Sequence, residues 1–144
     1  MTRYQIDSLA CIHVSEHFTL AEVLRTNRPA LQSGLSADNL VNVQLMSGIM
    51  ENVRKLLQRP IVVSSWFRSP ALNIAVGGVP TSAHLQGLAV DFRVSSTEFR
   101  RVAQSKSFTY DKAIYYPSRS FMHLGIRLDE NDFFDNRQQI IYKK

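Results

Sequence analysis

Leu88-Ala89-Val90-Asp91-Phe92-Arg93-Val94 alternates without a break: Leu88, Val90, Phe92 and Val94 fall on one face of an extended chain, and Ala89, Asp91 and Arg93 on the other. Phe121 to Leu128 repeats the pattern, with Met122, Leu124, Ile126 and Leu128 on one face and Phe121, His123, Gly125 and Arg127 opposite. Both segments read as strands that pack on one face and leave the other free. Each free face carries a metal-capable side chain, Asp91 or His123, with a small residue two positions away, Ala89 or Gly125. Adjacent antiparallel strands would set such side chains within ~5 Å between Cβ atoms, and the small neighbours would leave room for an ion. His84 is the third candidate. Seven residues before Asp91, it falls on the wrong face of a straight strand, but Gly87 permits a turn that swings it back. Two imidazoles and one carboxylate with an open fourth position are a composition found at catalytic zinc. Spacing alone leaves a second reading open, in which these histidines are ordinary surface or hydrogen-bonded residues.

Outward from these strands, Thr19-Leu20-Ala21-Glu22 has the form of a capping box and predicts a short helix over 20–25. Between Ser36 and Gln58, the residues Val43, Met46, Met50, Val53 and Leu57 recur at three and four positions, with Leu40, Ile49 and Leu56 widening the stripe. This predicts the main helix, stopped by Pro60. Ile61 to Phe67 is rich in β-formers and reads as a buried strand ended by Arg68-Ser69-Pro70. From Pro70 to Gly87, Gly77-Gly78 and Pro80 among small polar residues predict a loop carrying part of the site, with one helical turn near Ala71 to Ala75. Ser95 to Glu98 offers a second capping box, followed by a short helix lined by Phe99, Val102 and Ala103. Tyr110 to Tyr116 predicts a further strand, and the tail from Asp129 shows no assignable pattern.

A chain of 144 residues suffices for one domain, 1–144, and 44% hydrophobic with 20% charged residues fits a folded globular protein. Seventeen Lys and Arg against twelve Asp and Glu give +5, which favours anionic partners such as nucleic acid, phosphate-rich polymers or acidic wall material. The basic residues are scattered without a concentrated stripe, which argues against nucleic acid. The single cysteine, Cys11, excludes an intramolecular disulfide and a cysteine-rich zinc site, so any metal must be held by His and carboxylates. The first eleven residues contain no long apolar run and are interrupted by Asp7, so neither a signal peptide nor a lipid anchor is expected, and synthesis is expected to be cytoplasmic. No stretch approaches the ~20 apolar residues of a membrane span.

Ser82-Ala83-His84-Leu85-Gln86-Gly87-Leu88-Ala89-Val90-Asp91 resembles the Ser-x-His-x-x-Gly-x-Ala-x-Asp signature of the zinc D-alanyl-D-alanine peptidase family, which shares its fold with the Hedgehog signalling domain. Ser65-Trp66-Phe67-Arg68-Ser69-Pro70-Ala71-Leu72-Asn73, followed by Val76-Gly77-Gly78, is similar to the Ser-Gly-Tyr-Arg-Ser-Pro segment that precedes it in that family. Phe121-Met122-His123 resembles the later aromatic-aliphatic-His element, and Ser15 to Glu22 is like the opening of short, phage-associated members. The resemblance runs from about Ser15 to Arg127.

It implies an α+β fold, a small antiparallel sheet backed by helices, with zinc held on the open face by His84, Asp91 and His123. It implies that Arg68 polarises the scissile carbonyl and steadies the oxyanion, a task suited to the fixed donor fork of a guanidinium. Ser82 would hydrogen-bond substrate or the surroundings of a ligand, unless it serves only to form the turn. Trp66 stands where the family often has glycine and reads as core or pocket wall. His13 and His17 read as structural. In relatives an acid three residues before the last zinc-binding His, or a His two before it, takes the proton from the attacking water. Here those positions are Ser120 and Phe121. In short phage-type members an acid can instead end the preceding strand, where this chain has Tyr116; Asp111 and Glu98 are the other substitutes. The implied activity is cleavage of a peptide bond involving D-residues in peptidoglycan stem peptides, by a monomer acting on the bacterial wall in phage lysis or wall entry. The rival is a zinc-bearing wall-binding module that has lost turnover.

Overall fold

A computed structural model describes residues 1–144. Along the chain lie α1 (Arg3–Asp7), β1 (His13–Ser15), β2 (Phe18–Thr19), α2 (Leu20–Leu24), α3 (Ala37–Leu57), β3 (Val63–Ser65), α4 (Pro70–Ala75), β4 (Ala89–Arg93), α5 (Ser96–Ala103), β5 (Lys112–Tyr116), β6 (Phe121–Gly125) and β7 (Gln139–Tyr142). The fold is α+β. Its main sheet has the order β3-β4-β6-β5-β7, and a two-stranded hairpin of β1 and β2 stands apart. Four strands of the main sheet are antiparallel to their neighbours, whereas β7 adds parallel to β5 at the edge. No helix is long and apolar enough to cross a membrane.

The helices begin where their capping residues stand. Thr19 with Glu22 caps α2, and Ser95 with Glu98 caps α5, each pair satisfying two otherwise free N–H groups at a helix start. Ser36 accepts from the Asn39 amide to start α3, and Gln58, in the left-handed conformation at φ 54°, ends it just before Pro60. The predicted turn near Ala71 to Ala75 is α4, with Pro70 in its first turn, where the missing N–H costs nothing.

Alternation sorts the sheet into two faces. Val90 and Phe92 of β4, Met122 and Leu124 of β6, and Ala113 and Tyr115 of β5 all point into one cluster that also contains Val43, Met46, Met50 and Val53 of α3 and Phe99 and Val102 of α5. Burial of each large apolar side chain there contributes about 1.5–3 kcal/mol, which ties the inner face of the sheet to the two helices. The expected strand over 61–67 is shorter. After Ser65 the chain leaves the sheet because the Phe67 amide donates to the Val23 carbonyl and the Arg68 amide to the His84 carbonyl. The unassigned tail provides β7, which ion pairs between Arg127 and Asp135 and between Arg137 and Asp111 bring back to the sheet. Tyr142 of β7 then meets Phe99 edge to face. His17 is anchored to Glu51 of α3 at 2.7 Å, and Ser15 donates to the same carboxylate, so the β1–β2 hairpin is pinned to the main helix.

Arg59 grips Glu98 through Nε and Nη2, at 2.7 and 2.9 Å, and joins the end of α3 to the start of α5. The Arg59 hydrogen bond holds the Glu98 carboxyl down at about 2, so its contribution is complete above the unfolded carboxyl range and is lost as pH falls toward 2. Glu98→Gln is therefore expected to lower stability by about 0.5–1 kcal/mol at neutral pH, the scale of a partly exposed pair. Urea denaturation should show that deficit shrinking between pH 4.5 and 2; a deficit independent of pH would assign the loss to the cap rather than to the ion pair.

Candidate metal centre and cleft

In β4 and β6, Asp91 stands directly opposite His123 and Ala89 directly opposite Gly125. Their inward neighbours Val90 and Leu124 are paired in the same register and fully buried, so the core fixes which residues face outward. The Asp91 Oδ1 lies 2.9 Å from His123 Nδ1 and 3.2 Å from His84 Nε2. The small residues keep this corner open: a Cβ added to Gly125 would lie 3.1 Å from His123 Nε2 and 3.6 Å from the Ala89 methyl.

His84 comes from a 3-10 turn, Ala83–Gln86, that Gly87 closes at φ 77°. The left-handed backbone turns the chain into β4 and brings His84 to the face that a straight strand would deny it. Glycine is needed here for space as well, since a Cβ would lie 2.7 Å from Val43 Cγ2 on α3. Ser82 caps this turn by accepting the His84 amide at 3.3 Å, so its hydroxyl shapes the histidine's backbone. The imidazole is held from behind by the Trp66 carbonyl, 2.6 Å from Nδ1. A carbonyl only accepts, so Nδ1 carries a proton, and in the neutral ring Nε2 faces Asp91 with a lone pair. Trp66 itself is fully buried, and its indole N–H donates to the Gly87 carbonyl. Sequence reading missed this role because a backbone oxygen leaves no mark in residue identity.

The chemistry of this donor set fits a cation. The His84 lone pair opposes a carboxylate oxygen that also receives His123, and the two rings lie 5.1 Å apart between centroids. Burial pushes the His123 imidazole below its ordinary value, which disfavours resolving the conflict by charging that ring. Burial by itself would raise the Asp91 carboxyl, but the two imidazoles outweigh it and hold the group well below the usual carboxylate range. One potential ligand atom from each residue lies within 4.8 Å of the others. Tetrahedral ligands at zinc–nitrogen and zinc–oxygen distances stand about 3.3 Å apart, close to the two separations observed.

Arg68 flanks the three residues, its Nη2 3.7 Å from Asp91 Oδ2. Burial lowers its ordinary value, yet a guanidinium remains charged at neutral pH. Tyr116 ends β5 on the same face, stacked on Phe121 with centroids 4.5 Å apart. Burial and the Asp91 charge push its phenol up, so it is a hydrogen-bond donor at neutral pH rather than a base. Asp111 also lines the cleft, but both its oxygens are taken by Arg137, at 2.7 and 2.8 Å, and that hydrogen bonding holds its carboxyl down. It anchors the tail and is not a free base. Glu98 caps α5 and pairs with Arg59. Ser120 sits at φ 50° in the turn between β5 and β6, where its carbonyl accepts the Val94 amide, and it does not line the cleft. Two carboxylates line this cleft of about 910 Å³, Asp91 and Asp111, and each is engaged.

Two imidazoles and a carboxylate on the free face of a sheet, with a half-buried guanidinium beside them, define a metallopeptidase type of centre. The chain belongs to the Peptidase M15 family, whose model matches residues 16–125, and the peptidases of this family are zinc enzymes acting on peptidoglycan-related peptides. The match takes in all three metal-capable residues and Arg68, and leaves α1 and β7 outside it. No curated protein matches the chain.

Gly87→Ala is expected to destabilise the protein by about 1–3 kcal/mol, because the methyl group meets both a positive φ and Val43. Denaturation with urea measures this; stability equal to the parent's would mean that α3 yields at Val43 and that the turn tolerates a side chain.

Proposed function

We propose that the chain is a zinc-dependent peptidase that cleaves peptide bonds involving D-amino acids in bacterial peptidoglycan, as a carboxypeptidase or an endopeptidase. The convergence of His84, Asp91 and His123 beside Arg68, in a chain of the M15 family, carries this reading. His84 Nε2, an Asp91 oxygen and His123 Nδ1 would hold the zinc. When bound, zinc supplies Lewis-acid chemistry, acidifying water and polarising a carbonyl. Arg68 turns its donors toward the same corner and would stabilise negative charge developing on the scissile carbonyl oxygen. Tyr116, protonated and next to Arg68, adds a second donor from the opposite strand. The Trp66 carbonyl keeps His84 Nδ1 protonated with Nε2 turned toward Asp91, and the strand register sets His123 Nδ1 against the same carboxylate, which supports both rings as ligands.

The charge of the cleft supports an acidic peptide as substrate. Arg68, Arg127 and Arg137 are each paired with a carboxylate, whereas Lys112 and Arg119 line the cleft without one. Those two cations suit the carboxylates of a peptidoglycan stem. Such an activity serves phage lysis or wall entry. A second reading, a zinc-bearing wall-binding module, is favoured by one observation: the cleft offers no free carboxylate to act as base.

Zinc-loaded protein incubated with purified muropeptides should give shortened stem peptides by mass spectrometry. His84→Ala and His123→Ala should lose both zinc and cleavage, while Arg68→Lys keeps its zinc and loses at least ~10-fold in rate. Full zinc retention in both histidine variants would remove the metal site. Tight muropeptide binding without cleavage would favour the binding module.

General-base assistance is worth ~10² to 10⁴ in rate, so turnover is expected to be slow. Tyr116→Glu places a carboxylate at the end of β5 on the cleft face and is expected to raise it. A fast parent enzyme that this substitution slows would show that another group already accepts the proton.

A further inference from the structure

Behind the cleft wall, in contact with Arg68, lies a buried polar side chain that belongs to neither the three metal-capable residues nor the cleft lining. Asn73, in the last turns of α4, is only 3% exposed. Its carboxamide spans two parts of the cleft. Oδ1 accepts from Arg68 Nη1 at 3.1 Å, and Nδ2 donates to the Val79 carbonyl at 3.0 Å. The backbone closes the same connection, because the Gly78 amide donates to the Asn73 carbonyl at 2.9 Å. Val76, Gly78, Val79 and Thr81 form the wall of the cleft next to Arg68.

We propose that Asn73 is a positioning residue, which fixes the Arg68 guanidinium toward Asp91 and locks the cleft wall around Gly78 to it. This rests on the peptidase reading for its catalytic consequence and on contacts within the chain for the rest. Three observations support it.

The other contacts of the guanidinium are longer, 3.4 Å from Nε to Ser65 Oγ and 3.7 Å from Nη2 to Asp91 Oδ2, so the Asn73 bond is the shortest restraint on its orientation. The residue type also matters. A carboxylate at position 73 would neutralise Arg68 and set an oxygen against the Val79 carbonyl in place of a donor. The neutral amide orients the cation and leaves its charge available to an oxyanion. Finally, the wall approaches too closely for any side chain at position 78. A Cβ there would lie 2.0 Å from Asn73 Oδ1 and 2.9 Å from Arg68 Nη1, although Gly78 does not have a positive φ. Glycine is therefore required at 78 to make room for the Asn73–Arg68 pair.

The test combines nitrogen-15 NMR of the arginine side chains with kinetics on the zinc-loaded full chain. Arg68 signals are assigned by their loss in Arg68→Lys. In the parent, hindered rotation should keep Arg68 Nη1 and Nη2 distinct; in Asn73→Ala, Asn73→Asp or Gly78→Ala they should average or shift. For turnover of muropeptides, Asn73→Ala should lower kcat at least ~10-fold with zinc content unchanged and KM within about twofold, as expected when orientation rather than binding is lost. Combined with Arg68→Lys it should add little, because both changes remove one device. Averaged Arg68 signals in the parent, unchanged signals in all three variants, or an effect that multiplies with Arg68→Lys would overturn the proposal. Should the parent cleave no muropeptide, the peptidase reading fails and the NMR comparison still decides the role of Asn73. If Asn73→Ala does not fold, Asn73→Asp and Gly78→Ala provide the same readouts.

Discussion

The pairing of β4 with β6 in the register that sets Asp91 against His123 is the constraint on which the site depends. That register is chosen on the opposite face of the sheet. Val90 meets Leu124 and Phe92 meets Met122 there, all four fully buried. A slip of one residue would move Asp91 and His123 inward and expose the apolar set, at a cost far above anything the polar face could recover. Hydrophobic packing thus holds two polar groups, Asp91 and His123, within ligand distance of each other, although neither packs in the core cluster.

His84 joins this pair through a different device. Its turn lies between two fixed points, the Gly87 backbone against Val43 of α3 and the Trp66 carbonyl behind the ring. Trp66 serves both sides of the boundary. Its indole is buried against Phe18 and donates to Gly87, while its backbone oxygen sets the histidine's tautomer. The long helix therefore reaches the site through a van der Waals contact and the segment just after β3 through a hydrogen bond. Neither needs a functional side chain.

The electrostatics of the cleft follow from which charges find partners. Asp111 pairs with Arg137 and Asp135 with Arg127, so these two contacts neutralise two of the cleft's cations and tie the tail to the sheet beside β7. What is left around the opening is positive. The same pairing explains why the cleft has no spare acid: Asp111 is held by Arg137, and Asp91 by Arg68 and the two imidazoles.

Much of this was legible in the sequence. Alternation identified β4 and β6 and their two faces, capping boxes located α2 and α5, and the heptad-like spacing of Val43 to Leu57 marked α3, because these signals are local and periodic. Gly87 could be read as the turn that recovers His84, since glycine alone takes a positive φ without cost. Other features depended on contacts between distant segments. The short β3 ends where Phe67 and Arg68 find backbone partners elsewhere, and β7 joins β5 through backbone hydrogen bonds and the Arg137–Asp111 pair, none of which the sequence pattern of the tail announces. Asp111 has the right residue type for a base, and only its partner Arg137, twenty-six residues away, shows that it is engaged. The sequence by itself determined which residues can face outward and which chemistry they carry, because side-chain period and residue type are properties of the chain. Tertiary structure decided which of those groups meet and which are already satisfied, because hydrogen bonds and ion pairs across long separations are properties of the fold.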